Sequence, residues 1–292
     1  MGWRDGYIAV DWGTTNRRAY AVDGNGQLED WFEDDFGLLA VPRGGFETAA
    51  DDIRRRLGDR PMLLGGMVGS NRGWGEAPYV PGPAGAAELA AAIRWIEPGR
   101  VGIVPGISQS GSAGADVMRG EEVQVVGAVA TGSVPPEALI CHPGTHAKWI
   151  HLSNGRIQAF RTMMTGELFS LLKEHSILAD ELAGEVRPDG AFEAGARDGL
   201  AGESLLSALF AIRARHLLDE GEGGASCASG LLIGADVRAG LGLHRGEPLV
   251  LVGRPDLCAL YYAALRLAGK SATKVDGAVA FLAGMHRLTE LI

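Results

Sequence analysis

Apolar residues fall in short runs broken by glycine and polar turns, and the runs read alternately as strands and helices. Residues 7–11 (YIAVD) predict a buried strand. Residues 18–23 and 27–32 predict two more, joined through Asp23-Gly24-Asn25-Gly26, where Asn-Gly favours the positive φ angles of a tight hairpin turn. A helix is expected over 46–57, a strand over 61–66 ending in glycines, and a long glycine-rich loop over 67–85. A strand at 101–106 and a helix at 120–130 follow. Then come a strand at 138–144 and a second hairpin around Ser153-Asn154-Gly155. Helices are expected near 166–175, 203–219 and 227–242, a buried strand at 248–253, and helices near 256–268 and 276–290. The order is mixed α/β, with a hairpin near the start of each half.

One local arrangement occurs twice. Residues 10–26 read VDWGTTNRRAYAVDGNG and residues 142–155 read HPGTHAKWIHLSNG. Each has a Gly-Thr step, an alternating stretch and Asn-Gly. Glycine lets backbone approach a ligand without a Cβ in the way, and turn N–H groups with a threonine hydroxyl can bind phosphate oxygens. Two such turns, one per half, predict two similar domains with the polyphosphate of a nucleotide held in a cleft between them. Gly13, Thr14, Thr15 and Asn16 belong to the first turn, and Gly144, Thr145, His146 and Lys148 to the second. Asp11, just before the first Gly-Thr, suits Mg²⁺, which takes one or two carboxylates plus substrate phosphates.

Length and charge narrow this. At 292 residues the chain is near the size where one core divides into two domains, here drawn as 1–130 and 131–292. A net charge of −9 argues against a nucleic-acid surface. The N-terminus reads without a signal peptide, and no apolar run approaches a membrane span. Three scattered cysteines, Cys141, Cys227 and Cys258, point to reduced thiols and a cytoplasmic protein. The sequence leaves a homo-oligomer open.

The stretch Asp11-Trp12-Gly13-Thr14-Thr15-Asn16-Arg17-Arg18-Ala19 resembles the first phosphate motif of the sugar kinases in the actin/hexokinase/Hsp70 superfamily, and Gly144-Thr145-His146 resembles the second. Leu249-Val250-Leu251-Val252-Gly253 resembles the adenosine motif, a strand ending in glycine beside a helix. More narrowly, MVGSNRGWGEAPYVPGPA, DVMRGEEVQVVGA, HPGTHAKW and MTGELFSLL resemble the 2-dehydro-3-deoxygalactonokinase family, with Gly82 where cysteine is expected. The resemblance implies two actin-like (ribonuclease H-like) α/β domains, ATP with Mg²⁺, and a small sugar acid phosphorylated at its 6-hydroxyl.

Such a transfer needs a base near the acceptor hydroxyl and cations on the developing charge. The resemblance places the base at Glu121, at the start of GEEVQVVGA, where a sugar kinase carries aspartate. Asp116 is a rival and Glu122 a weaker one, while first-turn acids also favour a helix N-terminus on dipole grounds alone. Arg18 matches the arginine near the transferring phosphate. A sugar acid carries a carboxylate, for which arginine offers a planar bidentate partner. Arg18, Arg72, Arg119 and Arg161 all sit in or beside the motif stretches. Ser70, Asn71, Arg72 and Trp74 in SNRGW form the expected substrate loop, with Arg119 nearby.

Other signals fail. His142, His146 and His151 lack metal-ligand spacing. ALRLAGKS (264–271) nearly matches a P-loop, but Ala264 stands where glycine is required, and GxGxxG is absent. Two alternatives remain at this stage: a kinase of the same fold for another sugar or sugar acid, and a non-catalytic nucleotide or sugar sensor. The latter is disfavoured by the acids at 116 and 121.

Overall fold

A computed structural model of the chain describes residues 2–111, 114–221 and 223–292. These fall into two compact units. The first comprises Met1–Pro136, Leu152–Ala159 and Ala278–Ile292, and the second Glu137–His151 and Phe160–Gly277.

In the first unit, β1 (Tyr7–Trp12), β2 (Arg17–Val22) and β3 (Leu28–Asp34) form an antiparallel meander. The helix α1 (Phe46–Leu57) leads to β4 (Met62–Gly65). The short elements β5 (Val80–Pro81), α2 (Ala86–Ala91) and β6 (Arg94–Glu97) precede β7 (Val101–Ile103), and β8 (Ile107–Gln109) and β9 (Asp116–Met118) precede α3 (Glu121–Ala130). The main sheet has the order β3-β2-β1-β4-β7-β6, with β4 parallel to both β1 and β7; β5, β8 and β9 make a small separate sheet. Every β1 residue is buried except Asp11, which is half-buried, because the strand is central and covered on both faces. On one face α1 docks Phe46, Ala49, Ala50, Ile53 and Leu57, the helical stripe that the sequence shows.

In the second unit, β10 (Ala138–His142), β11 (Ala147–Ser153) and β12 (Arg156–Met163), the last two a hairpin whose tip Leu152–Ala159 groups with the first unit, lead to α4 (Thr165–His175), α5 (Gly190–Ala201), α6 (Leu205–Leu217) and α7 (Gly224–Leu241). Then come β13 (Leu249–Gly253), α8 (Pro255–Leu267) and β14 (Thr273–Asp276). The sheet order is β12-β11-β10-β13-β14, with β13 parallel to β10 and β14. Numbered within each main sheet, and setting aside edge strand β6, the strands of both sheets therefore read 3-2-1-4-5. The fold is the mixed α/β, actin-like (ribonuclease H-like) arrangement expected, and the doubled sequence pattern opens both copies of it.

Besides the short elements β5, α2, β6, β8, β9 and β14, which lie outside the expected elements, three details differ from the sequence reading. The last helix, α9 (Gly277–Thr289), clusters largely with the first unit rather than with the residues before it. It covers the sheet face opposite α1, where Phe281 and Met285 meet Gly65. A Cβ on Gly127 would stand 1.9 Å from the Ala280 carbonyl, and one on Gly284 would stand 2.0 Å from that of Val123, so α3 and α9 cross backbone to backbone. Helix α5 lies outside the helices expected from the sequence, and three glycines in GAFEAGARDGLA argue against a helix on propensity. Packing overrides that: Gly195 and Gly199 lie against the α7 backbone, where a Cβ would come within 2.1 and 2.3 Å of carbonyl oxygens. Finally, the two Asn-Gly steps build different turns. Asn154 and Gly155 both have positive φ, whereas in the first hairpin only Gly26 does, and the Asp23 carboxylate accepts from the N–H groups of Asn25 and Gln27.

Candidate active site

In the first unit the four residues Gly13–Asn16 join β1 to β2. The Gly13 N–H donates to the Asn16 carbonyl (3.0 Å), and a neighbouring segment takes up the other outward carbonyls: Leu38 donates to Gly13, Leu39 to Thr14 and Gly37 to Thr15. The N–H groups of Thr14, Thr15 and Asn16 have no protein partner among the described residues. The turn therefore offers donors and keeps its acceptors occupied, which is the polarity an anion requires. Gly37 makes this contact feasible, since a Cβ there would stand 2.3 Å from the Thr15 carbonyl carbon. Behind the turn, Arg17 is 1 % exposed. It is held by Asp34 and Asp52 (2.8 and 3.3 Å) and donates to the Ala49 carbonyl.

Asp11 lies opposite Arg18 in the β1–β2 register. Burial pushes the Asp11 carboxyl up to about 6; Arg18 pulls against that, while Glu121 and Glu33 reinforce it. The structure thus brings Asp11, Glu121, Glu33 and Arg18 into one electrostatic cluster, with Arg18 paired to Glu33 at 2.9 Å. Glu121 reaches it because Gly120, at φ +110, turns β9 into α3 against Gly66. One carboxylate oxygen of Glu121 accepts from the Arg119 N–H at 3.1 Å. Glu122 is different. It is fully buried, both its oxygens lie 2.8 Å from the Gly120 N–H, and burial pushes it up to about 8, aided by Glu121. It serves the helix start from inside the core. Asp116 sits on β9 in the small sheet and accepts from the Val117 N–H.

Of the substrate-loop residues, Asn71, Arg72 and Trp74 line one cavity of about 740 Å³. Trp74 stacks on Phe46, with centroids 6.4 Å apart and planes at 10°. The Ser70 hydroxyl accepts from the Arg72 N–H at 3.4 Å. Arg119 is turned elsewhere: its guanidinium lies 4.3 Å from the Tyr79 ring centre and donates to the Ala77 carbonyl at 2.8 Å, while its Nε and one terminal nitrogen are buried without partners.

In the second unit, Pro143–His146 join β10 to β11. The Glu167 N–H donates to the Thr145 carbonyl (2.9 Å) and Lys148 Nζ to the His146 carbonyl (3.1 Å). Lys148 is 3 % exposed, and the exposed His146 ring meets the Glu167 carboxylate at 2.5 Å. Gly166 packs on this turn as Gly37 packs on the other; its Cβ would stand 2.6 Å from the Gly144 carbonyl. Gly253, at φ +149, leaves β13 beside Pro143. An apolar slot of about 140 Å³ opens next to Gly144, bounded by Thr165, Phe169, Leu257 and Tyr261.

Several contributors escaped the sequence reading. Asp236 accepts from Trp149 (2.6 Å), Thr165 (2.5 Å) and Tyr261 (2.5 Å), and burial pushes its carboxyl up despite these donors. It ties β11, α4 and α8 together beneath the turn. A lone acid in the apolar stretch GLLIGADV was the available signal, since a buried carboxylate demands partners. Gly37, Arg17 and Gly166 gave no such signal.

The sequence profile of the 2-keto-3-deoxy-galactonokinase family matches residues 11–288. The 2-dehydro-3-deoxygalactonokinase of Escherichia coli K12 is 35 % identical over 98 % of both chains. A crystallised Sinorhizobium meliloti protein assigned to the same kinase superposes with a TM-score of 0.88 at 32 % identity, covering 96 % of each chain. At fold level alone, the ADPNP-bound activator of 2-hydroxyisocaproyl-CoA dehydratase from Clostridium difficile superposes with a TM-score of 0.53 at 11 % identity, over 98 % of this chain and 94 % of that one.

Proposed function

The chain belongs to the 2-keto-3-deoxy-galactonokinase family, and from that premise we propose that it transfers the terminal phosphoryl group of ATP to the 6-hydroxyl of 2-dehydro-3-deoxy-D-galactonate, a step in galactonate catabolism. The observation that carries the chemistry is the Gly13–Asn16 turn, with three unengaged N–H groups beside the Asp11–Glu121 acid pair. Donors for a polyphosphate and carboxylates for a hydroxyl stand next to each other there.

In this reading Glu121 accepts the proton of the 6-hydroxyl as its oxygen bonds to the γ-phosphorus and the bond to the β-phosphate oxygen breaks. Asp116 is the second candidate for that role. Arg18 stabilises charge on the transferred group. Thr14, Thr15 and Asn16 donate to phosphate oxygens, with Gly13 giving the backbone its close approach; Gly144, Thr145, His146 and Lys148 do the same on the second turn. The apolar slot beside Gly144 takes the adenine, and Gly253 lets the adenosine lie close to backbone. Ser70, Asn71, Arg72 and Trp74 contact the sugar acid, with Arg119 supporting their loop. Mg²⁺ arriving with ATP would offset phosphate charge, and Asp11, a hard oxygen donor raised to about 6 by burial and its acidic neighbours, is the residue that fits it.

We assign the acceptor chemistry and first phosphate turn to the first unit, and the second phosphate turn and adenosine strand to the second. No described helix is long and apolar enough to cross a membrane. The three free thiols suit the cytoplasm, where we place the enzyme.

An ADP-release assay with Mg²⁺-ATP tests the reading across 2-keto-3-deoxygalactonate, 2-keto-3-deoxygluconate, glucose and galactose. Turnover confined to the keto-deoxy acids is expected. Turnover on an aldose alone would retain a kinase and discard the substrate. Silence across the panel with ATP still bound would favour a sensor.

A further inference from the structure

We propose that Arg43 and Arg72 form a two-arginine clamp for the carboxylate of the acceptor, and that Arg43, outside every recognised motif, is a specificity-determining residue. The identity of the acid rests on the kinase reading above; the clamp itself rests on the structure.

Both arginines sit on tight turns that face the same cavity of about 740 Å³. Pro42–Gly45 is closed by a hydrogen bond from the Gly45 N–H to the Pro42 carbonyl (2.8 Å). Gly44 at φ +76 occupies the left-handed corner, and Arg43 precedes it. Ser70–Gly73 is closed by the Gly73 N–H on the Ser70 carbonyl (2.9 Å), with Asn71 and Arg72 at its tip. The two turns lie far apart in sequence, and the stacked pair of Phe46 and Trp74, which also lines the cavity, holds them together. Segment 38–39 of the same lining is hydrogen-bonded to the Gly13–Thr14 turn, so the cavity adjoins the first phosphate turn.

The charges are unspent. Neither guanidinium has an acid partner among the described residues, whereas Arg54, Arg55 and Arg56 on the adjacent helix each have one. Glu47 also lines the cavity but pairs with neither arginine. Two planar forks with open donors, a side-chain amide and an aromatic wall fit a small, hydroxylated carboxylate. A phosphate is served by the backbone donors next door.

The test measures binding and turnover of 2-keto-3-deoxygalactonate and of its carboxamide, which keeps the shape and loses the charge. Wild type, Arg43→Ala, Arg72→Ala and Arg43→Lys are compared by calorimetry and steady-state kinetics. Each alanine variant is expected to raise Kd and KM for the acid about ten- to hundred-fold, leave kcat within about threefold, and lose most of the preference for acid over amide. Arg43→Lys should recover part of that preference. Unchanged thermal melts are expected, since both side chains are exposed and unpaired. Wild-type turnover of the acid with unaltered Arg43→Ala affinity overturns the clamp and leaves the kinase reading intact. Arginine-dependent binding of the acid without turnover supports the clamp and removes the kinase reading. Equal wild-type affinity for acid and amide overturns the clamp in every case.

Discussion

The two Gly-Thr turns share a backbone plan and carry different side-chain settings. Each joins two neighbouring strands through four residues, each is pressed by a glycine from a distant segment (Gly37 or Gly166), and each buries a cation four residues after its own glycine (Arg17 or Lys148). Around the first turn stand the acids Asp11, Glu33 and Glu121. Around the second stand His142, His146 and Lys148, with Glu167 paired to His146 and the Asp236 network nearby. Arg17 is neutralised by two aspartates, whereas Lys148 turns its ammonium to a turn carbonyl. A repeated hairpin thus gives two turns of one backbone plan, and the residues flanking each give it a different electrostatic setting.

The sharpest break in this symmetry is Glu121, which crowds Asp11, whereas the glutamate beside the second turn, Glu167, is paired to His146. Glu121→Gln should lower kcat by about 10²–10⁴ with an unchanged melting temperature. Full turnover by this variant would move the base to Asp116 or out of this cluster.

The glycine braces come next. Gly37→Ala and Gly166→Ala each force a Cβ into backbone, at 2.3 and 2.6 Å. Each should cost about 1–3 kcal/mol in urea unfolding and raise KM for ATP. Gly37→Ala is expected to be the more damaging, since it also disturbs the three hydrogen bonds that occupy the first turn's carbonyls. A neutral result at either site would show that its turn is not shaped by the brace.

The acid side should also titrate. Glu122 is held up to about 8 in the fold against about 4.5 unfolded. Between those values the unfolded chain binds fewer protons than the native one, so this group makes stability fall as pH rises, by at most about 1.4 kcal/mol per pH unit. Glu122→Gln keeps an acceptor for the Gly120 N–H and should flatten the urea-midpoint profile between pH 5 and 8. An unchanged slope would mean that Glu122 ionises normally.

The smallest effect tests what the turns have in common. Thr14→Val and Thr145→Val each remove one hydroxyl and should raise KM for ATP about three- to tenfold. A large effect in one and none in the other would end the idea that the two turns share the phosphates.

Much of this was legible in the chain. The apolar runs placed β1, β10 and β13, because buried central strands must be apolar on both faces. The repeated Gly-Thr step marked both turns, because glycine lets the backbone turn tightly between neighbouring strands. The Asn25-Gly26 step misled, because Asp23 captured the turn's N–H groups with its own carboxylate. Helix α5 was hidden, because its glycines are unfavourable alone and favourable only against α7.

The sequence by itself determined the doubled α/β pattern, the two Gly-Thr turns and the loop that carries Arg72. These depend on local conformational preference and on periodic burial, both of which are written residue by residue. Only the tertiary structure decided that Glu121 and Glu33 crowd Asp11, that Asp236 ties β11, α4 and α8 together, and that Arg43 lines the same cavity as Arg72. Electrostatic coupling and cavity lining depend on distance in space, and chain separation carries no record of that distance until the sheets, glycine crossings and aromatic stacks have fixed it.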